Sequence, residues 1–249
     1  MKSLNYVVHG AGGIGCVIAS RLANAGRKVQ LVARGAHLEA LRSHGLKVTQ
    51  NTEGRWRLPA SATAHDLDLD DRTVVLLAMK TDDTFAAVRH HSLLYRELPI
   101  VCFQNGVSNE EWLSKEGYRT YGCTVMVGAE IVEPGTVRHS GGRLLEIGCW
   151  PTGNDPICRE LVSDLIAGGM KAAVDDRVID GKWGKLVRNL ANAYLALVNL
   201  SVQEVSCNPG DRQFISDVNE EAADVLDAAN ISARTIGKRN LRQQVARLR

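Results

Sequence analysis

The first fifteen residues carry the feature that most constrains this chain, a glycine-rich turn between a strand pattern and a helix pattern. The apolar run Tyr6-Val7-Val8 predicts a buried strand, and Gly10-Ala11-Gly12-Gly13-Ile14-Gly15 follows it directly. The residues after the turn place apolar side chains at helical spacing and predict an amphipathic helix. A strand, G-x-G-x-x-G and a helix in this order open a dinucleotide-binding βαβ unit.

Each glycine of the motif has a physical role in such a unit. Gly10 allows the tight turn, Gly12 lets the backbone approach a pyrophosphate, and Gly15 lets the helix pack closely on the strand. Backbone N–H groups at the helix start then face the phosphates. Glycine turns also join strands and helices that bind nothing, which is the alternative interpretation. We interpret the motif as a nucleotide site, with six cofactor-binding residues: Gly10, Ala11, Gly12, Gly13, Ile14 and Gly15.

The end of the second predicted strand indicates which nucleotide is bound. Lys28-Val29-Gln30-Leu31-Val32 leads into Ala33-Arg34-Gly35. An NAD site usually has Asp or Glu roughly 20 residues after the glycines, where it binds the ribose 2′-hydroxyl. Arg34 suits a 2′-phosphate instead, through charge-assisted hydrogen bonds. The alternative is a solvated arginine at the end of a strand. We predict that the cofactor is NADPH.

Composition excludes several classes of protein. The chain has 249 residues, 45% of them hydrophobic, which is enough for a substantial core, and its net charge is only +2. Neither this charge nor the 5% aromatic content favours nucleic acid or a membrane surface as a partner. The six cysteines contain no C-x-x-C pair, so no metal site is predicted. Without a signal peptide or a long apolar run, a soluble, cytoplasmic protein is expected.

Alternating strand and helix patterns give way to helices alone near Asp176. We therefore predict an α/β fold with a Rossmann-type dinucleotide-binding domain at 1–176 and an all-helical domain at 177–249, for substrate binding or dimerisation. A hairpin is expected after the second helix, from Leu46–Thr49 and Trp56–Leu58. Later strands are expected to reverse at Glu133-Pro134-Gly135 and again at Ser140-Gly141-Gly142. Helices are predicted at 178–199, 213–229 and 235–249.

Polar residues follow two predicted strands at the point where each ends. Thr73–Met79 is nearly all apolar, which predicts a strand covered on both faces, and Lys80 follows it. Ile100–Phe103 is followed by Gln104-Asn105-Gly106. The carboxyl ends of parallel strands form the edge where ligands bind. The alternatives are a surface lysine at position 80 and a turn-forming asparagine at position 105.

The helical part carries a polar stripe on a largely apolar helix. Lys182, Lys185, Asn189 and Asn192 stand at i, i+3, i+7 and i+10, on one side of a helix. Burying amides and lysines requires partners, which the carboxylate and carbonyl of a substrate can supply. A solvated polar face is the alternative, and the spacing alone favours it.

Together these motifs resemble the ketopantoate reductase (2-dehydropantoate 2-reductase) family over nearly the whole chain, less so beyond Asn199. The matching segments are Gly10–Gly15, Ala33-Arg34, Ala78-Met79-Lys80-Thr81, Gln104-Asn105-Gly106-Val107, Pro134–His139, and Trp183-Gly184-Lys185-Leu186 with Asn189. Their order and joint spacing are far more specific than the glycines alone.

The resemblance implies NADPH-dependent reduction of a small 2-keto acid to a 2-hydroxy acid, as in pantothenate synthesis. It implies that Arg34 holds the 2′-phosphate and that Lys80 and Asn105 line the cofactor near its nicotinamide end, Asn105 also contacting substrate. Lys185 is then the catalytic lysine and Asn189 a substrate contact. A lysine ammonium suits this chemistry because it can stabilise and protonate the carbonyl oxygen.

Two departures from the family pattern leave alternatives open. The family's second asparagine, eight residues after the lysine, is Ala193 here, and Asn192 lies about 100° around the helix from it. The chain also ends at Arg249, before the family's Ser-Ser-Met-like segment and a substrate-binding glutamate, so we expect a shortened reductase. The alternatives are an NADP-binding protein without turnover, a reductase of another 2-keto acid, or a related dehydrogenase. Exposed apolar surface would favour a homodimer.

Overall fold

The structure is a computed structural model that describes residues 3–51, 53–235 and 241–242. The chain divides into two compact units, Met1–Val178 and Ile179–Arg249. The first unit is α/β and the second is helical, so the predicted fold class, a Rossmann-type domain followed by an all-helical domain, is confirmed.

The described strands of the first unit lie in one sheet. In chain order they are β1 (Asn5–His9), β2 (Val29–Val32), β3 (Leu46–Gln50), β4 (Gly54–Trp56), β5 (Ala60–Ser61), β6 (Thr73–Leu77), β7 (Ile100–Cys102), β8 (Thr120–Glu133), β9 (Thr136–Cys149) and β10 (Lys171–Val174). Their order across the sheet is β4-β3-β9-β8-β7-β6-β1-β2-β5, with β10 paired to β9. From β8 to β5 all neighbours are parallel, as crossover helices require.

The helices of the first unit connect these strands. They are α1 (Gly13–Asn24), α2 (Gly35–His44), α3 (Thr81–His90), α4 (Ser92–Tyr95), α5 (Ser108–Lys115) and α6 (Pro156–Ala167), with a short 3₁₀ helix at Ala64–Asp66. Helix α3 begins at Thr81, directly after Lys80. The short helices α4 and α5 were not predicted.

Two apolar clusters cover the sheet. Along β1, Tyr6 and Val8 belong to one cluster and Val7 to the other, because successive side chains of a strand point to opposite faces. All five residues of β6 are buried, which confirms the strand predicted to be covered on both faces. The sheet therefore has an apolar core on each of its two faces.

The hairpin of β3 and β4 is confirmed as an antiparallel pair, although β4 ends at Trp56. The turn predicted at Ser140-Gly141-Gly142 is wrong, because β9 runs unbroken through these residues. Gly141 lies opposite Gly128, where the register with β8 shifts, and Gly142 has φ +70°. The glycines form a bulge in a long strand, where we expected a reversal.

The second unit contains four described helices: α7 (Val178–Asn189), which begins one residue before the division, α8 (Ala191–Val198), α9 (Val202–Cys207) and α10 (Pro209–Ala228). The prediction of one helix at 178–199 is wrong, because the Leu190 N–H donates to Val187 O at 3.1 Å, an i→i−3 bond that separates α7 from α8. The helix predicted at 213–229 begins earlier, at Pro209, and α9 was not predicted.

The helix predicted at 235–249 lies largely outside the described residues. Leu241 and Arg242 are described and helical, and Leu241 packs in an apolar cluster with Val187 and Leu226. Arg242 forms ion pairs with Asp224 and Asp227 of α10. Over the described part of the chain, no helix combines the length and the apolar character needed to cross a membrane.

Asp164 anchors α6 to the start of the sheet. Its side chain is 2% exposed, and it accepts a 2.6 Å hydrogen bond from the Tyr6 hydroxyl. Arg27 lies 2.7 Å from its other oxygen. Burial, with the hydrogen bond to Asp164, raises the pKa of Tyr6 well above its usual value. The carboxylate thus joins β1, α6 and the segment after α1 in a single buried polar contact.

Replacing this carboxylate should destabilise the first unit strongly. We expect Asp164→Ala to lower the free energy of unfolding by about 3 kcal/mol, because it leaves a buried tyrosine hydroxyl and a guanidinium without their shared partner. Urea denaturation followed by circular dichroism measures this change. Glu39→Ala, at an exposed site on α2, is the control and should change the value by less than about 0.5 kcal/mol. A loss below about 1 kcal/mol in Asp164→Ala would contradict the anchoring role.

Candidate cofactor site at the carboxyl edge of the sheet

The glycine turn connects β1 to α1 and is held on the end of β2. Gly10 has φ +105°, a conformation that side chains rarely adopt. The N–H groups of Gly10 and Ala11 both donate to Val32 O, at 3.2 and 3.1 Å, and the Gly12 N–H donates to Gly10 O at 2.8 Å. The turn is therefore a fixed piece of backbone before the helix begins.

Three of the glycines are required by close backbone contacts. A Cβ atom on Gly10 would lie 2.4 Å from Met79 N, and one on Gly13 would lie 2.5 Å from Ala129 O. At Gly15 a Cβ would lie 2.2 Å from Gly10 O. These positions admit only glycine, because the segment after β6, the interior of β8 and the turn itself approach them directly.

Gly12 differs from these three. A Cβ atom built on it meets nothing within 4 Å, and its backbone is extended, with φ −78°. Gly12 is also the N-cap of α1, and no side chain caps this helix start. The N-terminus of α1 thus opens onto a cradle where its N–H groups and the helix dipole favour an anion. The residues present fit the pyrophosphate of a dinucleotide.

Lys80 and Asn105 lie at the same edge of the sheet as the glycine turn. The Ala78 N–H donates to His9 O at 2.9 Å, so β6 ends beside β1, and the Phe103 N–H donates to Leu77 O at 2.9 Å, so β7 ends beside β6. Lys80 is the N-cap residue of α3, and Asn105 lies between β7 and α5. Both are exposed.

Arg34 lies at the end of β2, where it is the N-cap residue of α2. Its side chain is 86% exposed, and its guanidinium lies 3.0 Å from a carboxylate oxygen of Asp83. An exposed pair of this kind contributes little to stability, so the guanidinium remains able to bind another anion. Asp83 was not predicted from the sequence as a site residue. The signal that could have found it is an acidic residue three positions after Lys80, in the first turn of α3.

Lys185 and Asn189 belong to the helical unit, four residues apart on α7. Both are half-buried, whereas Lys182 is 4% exposed. Asn192 and Ala193 follow the break at Leu190 and lie exposed on α8. The predicted stripe is therefore divided between two helices. Lys182, Lys185 and Asn189 lie on α7, and Asn192 lies on α8.

A buried histidine precedes the glycine turn. The ring of His9 hydrogen-bonds the Tyr95 hydroxyl at 2.8 Å, on the face of the sheet that α4 covers. Burial, assisted by the neighbouring His91 and His90, lowers the pKa of His9 to about 4. The ring is therefore neutral at physiological pH and has a packing role beneath the turn.

His65, His90 and His91 lie close enough to share a metal ion. However, both ring nitrogens of His91 already bind the backbone, Nδ1 to Ala87 O at 2.8 Å and Nε2 to the Ala64 N–H at 3.1 Å. A metal would have to displace one of these hydrogen bonds, so we assign the cluster to local structure.

Comparisons with known proteins identify the family of the chain. The family model described as ketopantoate reductase PanE/ApbA matches residues 6–152. A 2-dehydropantoate 2-reductase of Pyrococcus horikoshii is 30% identical over 76% of this chain, and the match spans 62% of that relative's length. A second one, from Halobacterium salinarum, is 29% identical over 98% of this chain and 82% of its own.

Solved structures show the same fold. The PanE/ApbA family ketopantoate reductase of Ralstonia eutropha JMP134 superposes with a TM-score of 0.82 at 28% identity, covering 98% of this chain and 80% of that one. D-mandelate dehydrogenase, solved with NADH and anilino(oxo)acetate, gives a TM-score of 0.83 at 19% identity, over 98% and 79%, and shares the fold. On the family match and the site geometry together, this chain belongs to the ketopantoate reductase family of oxidoreductases.

Proposed function

We propose that this chain reduces a 2-keto acid with NADPH, and that the substrate is 2-dehydropantoate, which becomes pantoate. The observation that carries the proposal is the open cradle at Gly12, on an uncapped helix start at the carboxyl edge of the sheet. Curated relatives that match most of the chain are 2-dehydropantoate 2-reductases, which supports the substrate.

A nicotinamide dinucleotide is the cofactor that fits both the fold and the cradle. Gly12 and the start of α1 would hold the pyrophosphate, and Lys80 and Asn105 would line the nicotinamide end. Arg34 favours NADPH over NADH because an exposed guanidinium at the end of β2 can bind a 2′-phosphate. Asp83, which pairs with Arg34, would then share that guanidinium with the phosphate.

The chemistry requires a donor for the charge that develops on the ketone oxygen. The nicotinamide supplies a hydride when it is bound. The Lys185 ammonium would donate a hydrogen bond to the carbonyl oxygen, stabilise its negative charge and transfer a proton to it. Asn189, one turn along α7, would bind the substrate beside Lys185, with Asn105 as a further contact.

An NADP-binding protein without turnover is the second candidate. Ala193 favours it, because the family pattern has an asparagine there. Lys185, Asn189, Lys80 and Asn105 together favour the reductase. The deciding experiment measures NADPH oxidation by this chain with and without 2-dehydropantoate, alongside a fluorescence titration with NADPH. Turnover supports the proposal. Binding without turnover supports the second candidate or a reductase of another 2-keto acid, and absence of binding contradicts all of these.

Gly12→Ala should separate cofactor binding from folding. A methyl group here enters the cradle and meets no protein atom, so we expect an unchanged melting temperature and NADPH binding weakened at least tenfold. Gly13→Ala is the matched variant. Its methyl group meets Ala129 O, so it should lower the free energy of unfolding by about 1–3 kcal/mol. Equal NADPH affinity in Gly12→Ala and the parent chain would show that the cradle does not hold the phosphates.

Arg34→Gln should remove the preference for NADPH. Hydrogen bonds to a charged group contribute about 1.5–3 kcal/mol, so we expect NADPH affinity to fall by about 10- to 100-fold and NADH affinity to change less than about threefold. Titration with both nucleotides measures the ratio. Arg42→Gln, at an exposed position on the same helix, is the control and should leave the ratio unchanged. A parallel loss for NADPH and NADH would contradict the role in 2′-phosphate binding.

Lys185→Ala should abolish turnover and spare cofactor binding. We expect kcat to fall by at least about 100-fold, because general acid catalysis contributes on that scale, while the Kd for NADPH changes less than about threefold. Arg188→Ala, exposed on the same helix, is the control and should retain activity. If both variants kept the parent kcat, another group would have to protonate the alkoxide.

A further inference from the structure

A chain of hydrogen bonds ends at the glycine turn and passes through two side chains that have no role in the proposed function, His37 and Cys16. The Gly135 N–H, in the turn between β8 and β9, donates to His37 Nδ1 at 3.1 Å. His37 Nε2 lies 3.6 Å from Cys16 Sγ. The Cys16 thiol in turn donates to the carbonyl oxygen of Ala11 at 3.3 Å. Four elements of the first unit are linked: the β8–β9 turn, α2, α1 and the glycine turn.

The donors and acceptors in this chain point in one direction. A backbone N–H can only donate, so Nδ1 of His37 is an acceptor and the proton of the neutral ring is on Nε2. Nε2–H is therefore the donor of the ring, facing both the Cys16 sulfur and the Ala11 backbone carbonyl. The thiol proton is directed to Ala11 O. Both side chains are neutral: burial lowers the pKa of His37, and burial raises the pKa of Cys16 to about 12.

The end point of the chain is the peptide group that precedes the open cradle. Ala11 O accepts the Cys16 thiol, and the N–H of the same peptide group, on Gly12, donates to Gly10 O at 2.8 Å. The far end is also fixed, because Gly135 O accepts the Lys47 N–H of β3 at 2.8 Å. The Ala11–Gly12 peptide is therefore held on both sides, and the orientation of Gly12 follows from it.

We propose that His37 and Cys16 are positioning residues that hold the Ala11–Gly12 peptide in the orientation that receives the cofactor pyrophosphate. They act through the backbone of the turn and do not touch the ligand. Cys16 is fully buried and His37 half-buried. All residues of the hydrogen-bond chain belong to the first unit. The inference rests on the proposed binding of a nicotinamide dinucleotide and concerns how this chain prepares that site.

Side chains that keep or remove the hydrogen bonds at similar volume provide the test. In His37→Gln the terminal amide can reach the position of Nε2 and donate to Cys16, whereas His37→Leu cannot donate. Cys16→Ser keeps a donor for Ala11 O, whereas Cys16→Ala removes it. We expect His37→Leu and Cys16→Ala each to raise the Kd for NADPH by about five- to tenfold, as loss of one hydrogen bond in a chain implies. The Gln and Ser variants should stay within about threefold of the parent.

A double variant tests whether the two residues act as one chain. If they do, His37→Leu/Cys16→Ala should bind NADPH about as weakly as either single variant, with no further loss, because either change already breaks the link. Melting temperatures of all variants show whether folding is affected. His44→Ala, exposed at the other end of α2, is the control and should bind like the parent chain.

The outcomes distinguish this inference from the proposed function. If the parent chain binds neither NADPH nor NADH, the proposed function fails and the inference fails with it. If the parent binds and His37→Leu and His37→Gln have the same Kd, only the positioning role is overturned. If the losses of NADPH affinity in the two single variants multiply in the double variant, His37 and Cys16 make two independent contacts. That result would overturn the proposal that they act as one hydrogen-bonded chain.

Discussion

The first unit depends on backbone approaching backbone at the glycine turn. Gly10 lies against Met79, Gly13 against Ala129 and Gly15 against Gly10 O, each at a distance that excludes a Cβ atom. The glycine turn and the start of α1 can therefore pack directly on the segment after β6 and on β8. Gly12 is the open position of the motif, because a Cβ atom built on it meets nothing within 4 Å.

Under the proposed function, the two units would contribute different kinds of chemistry. The first supplies backbone N–H groups and the cations of Arg34 and Lys80, which suit a dinucleotide. The second supplies Lys185 and Asn189 on one turn of α7, which suit a carbonyl and a carboxylate. This division matches the proposed reaction, in which the α/β unit holds the cofactor and the helical unit presents the proton donor.

Much of the fold could be predicted from local pattern. The β1 strand, the glycine turn and α1 followed from hydrophobic period and glycine spacing, and so did β6 with its two buried faces. Predictions failed where tertiary contacts decide the backbone. Gly141 and Gly142 are typical of a turn, but pairing with β8 on one side and with β3 and β10 on the other keeps β9 extended. The break at Leu190 had no signal in helix propensity.

The sequence by itself determined the family, the order of the elements and the residue types at the strand ends, because these depend on spacing along the chain. It did not distinguish Gly12, which faces open space, from Gly13, which faces Ala129, since that difference arises only when β8 packs on α1. Nor did it bring His37 to Cys16 or Asp83 to Arg34. Those pairs come from different crossover units, and only the tertiary structure brings them within hydrogen-bonding distance.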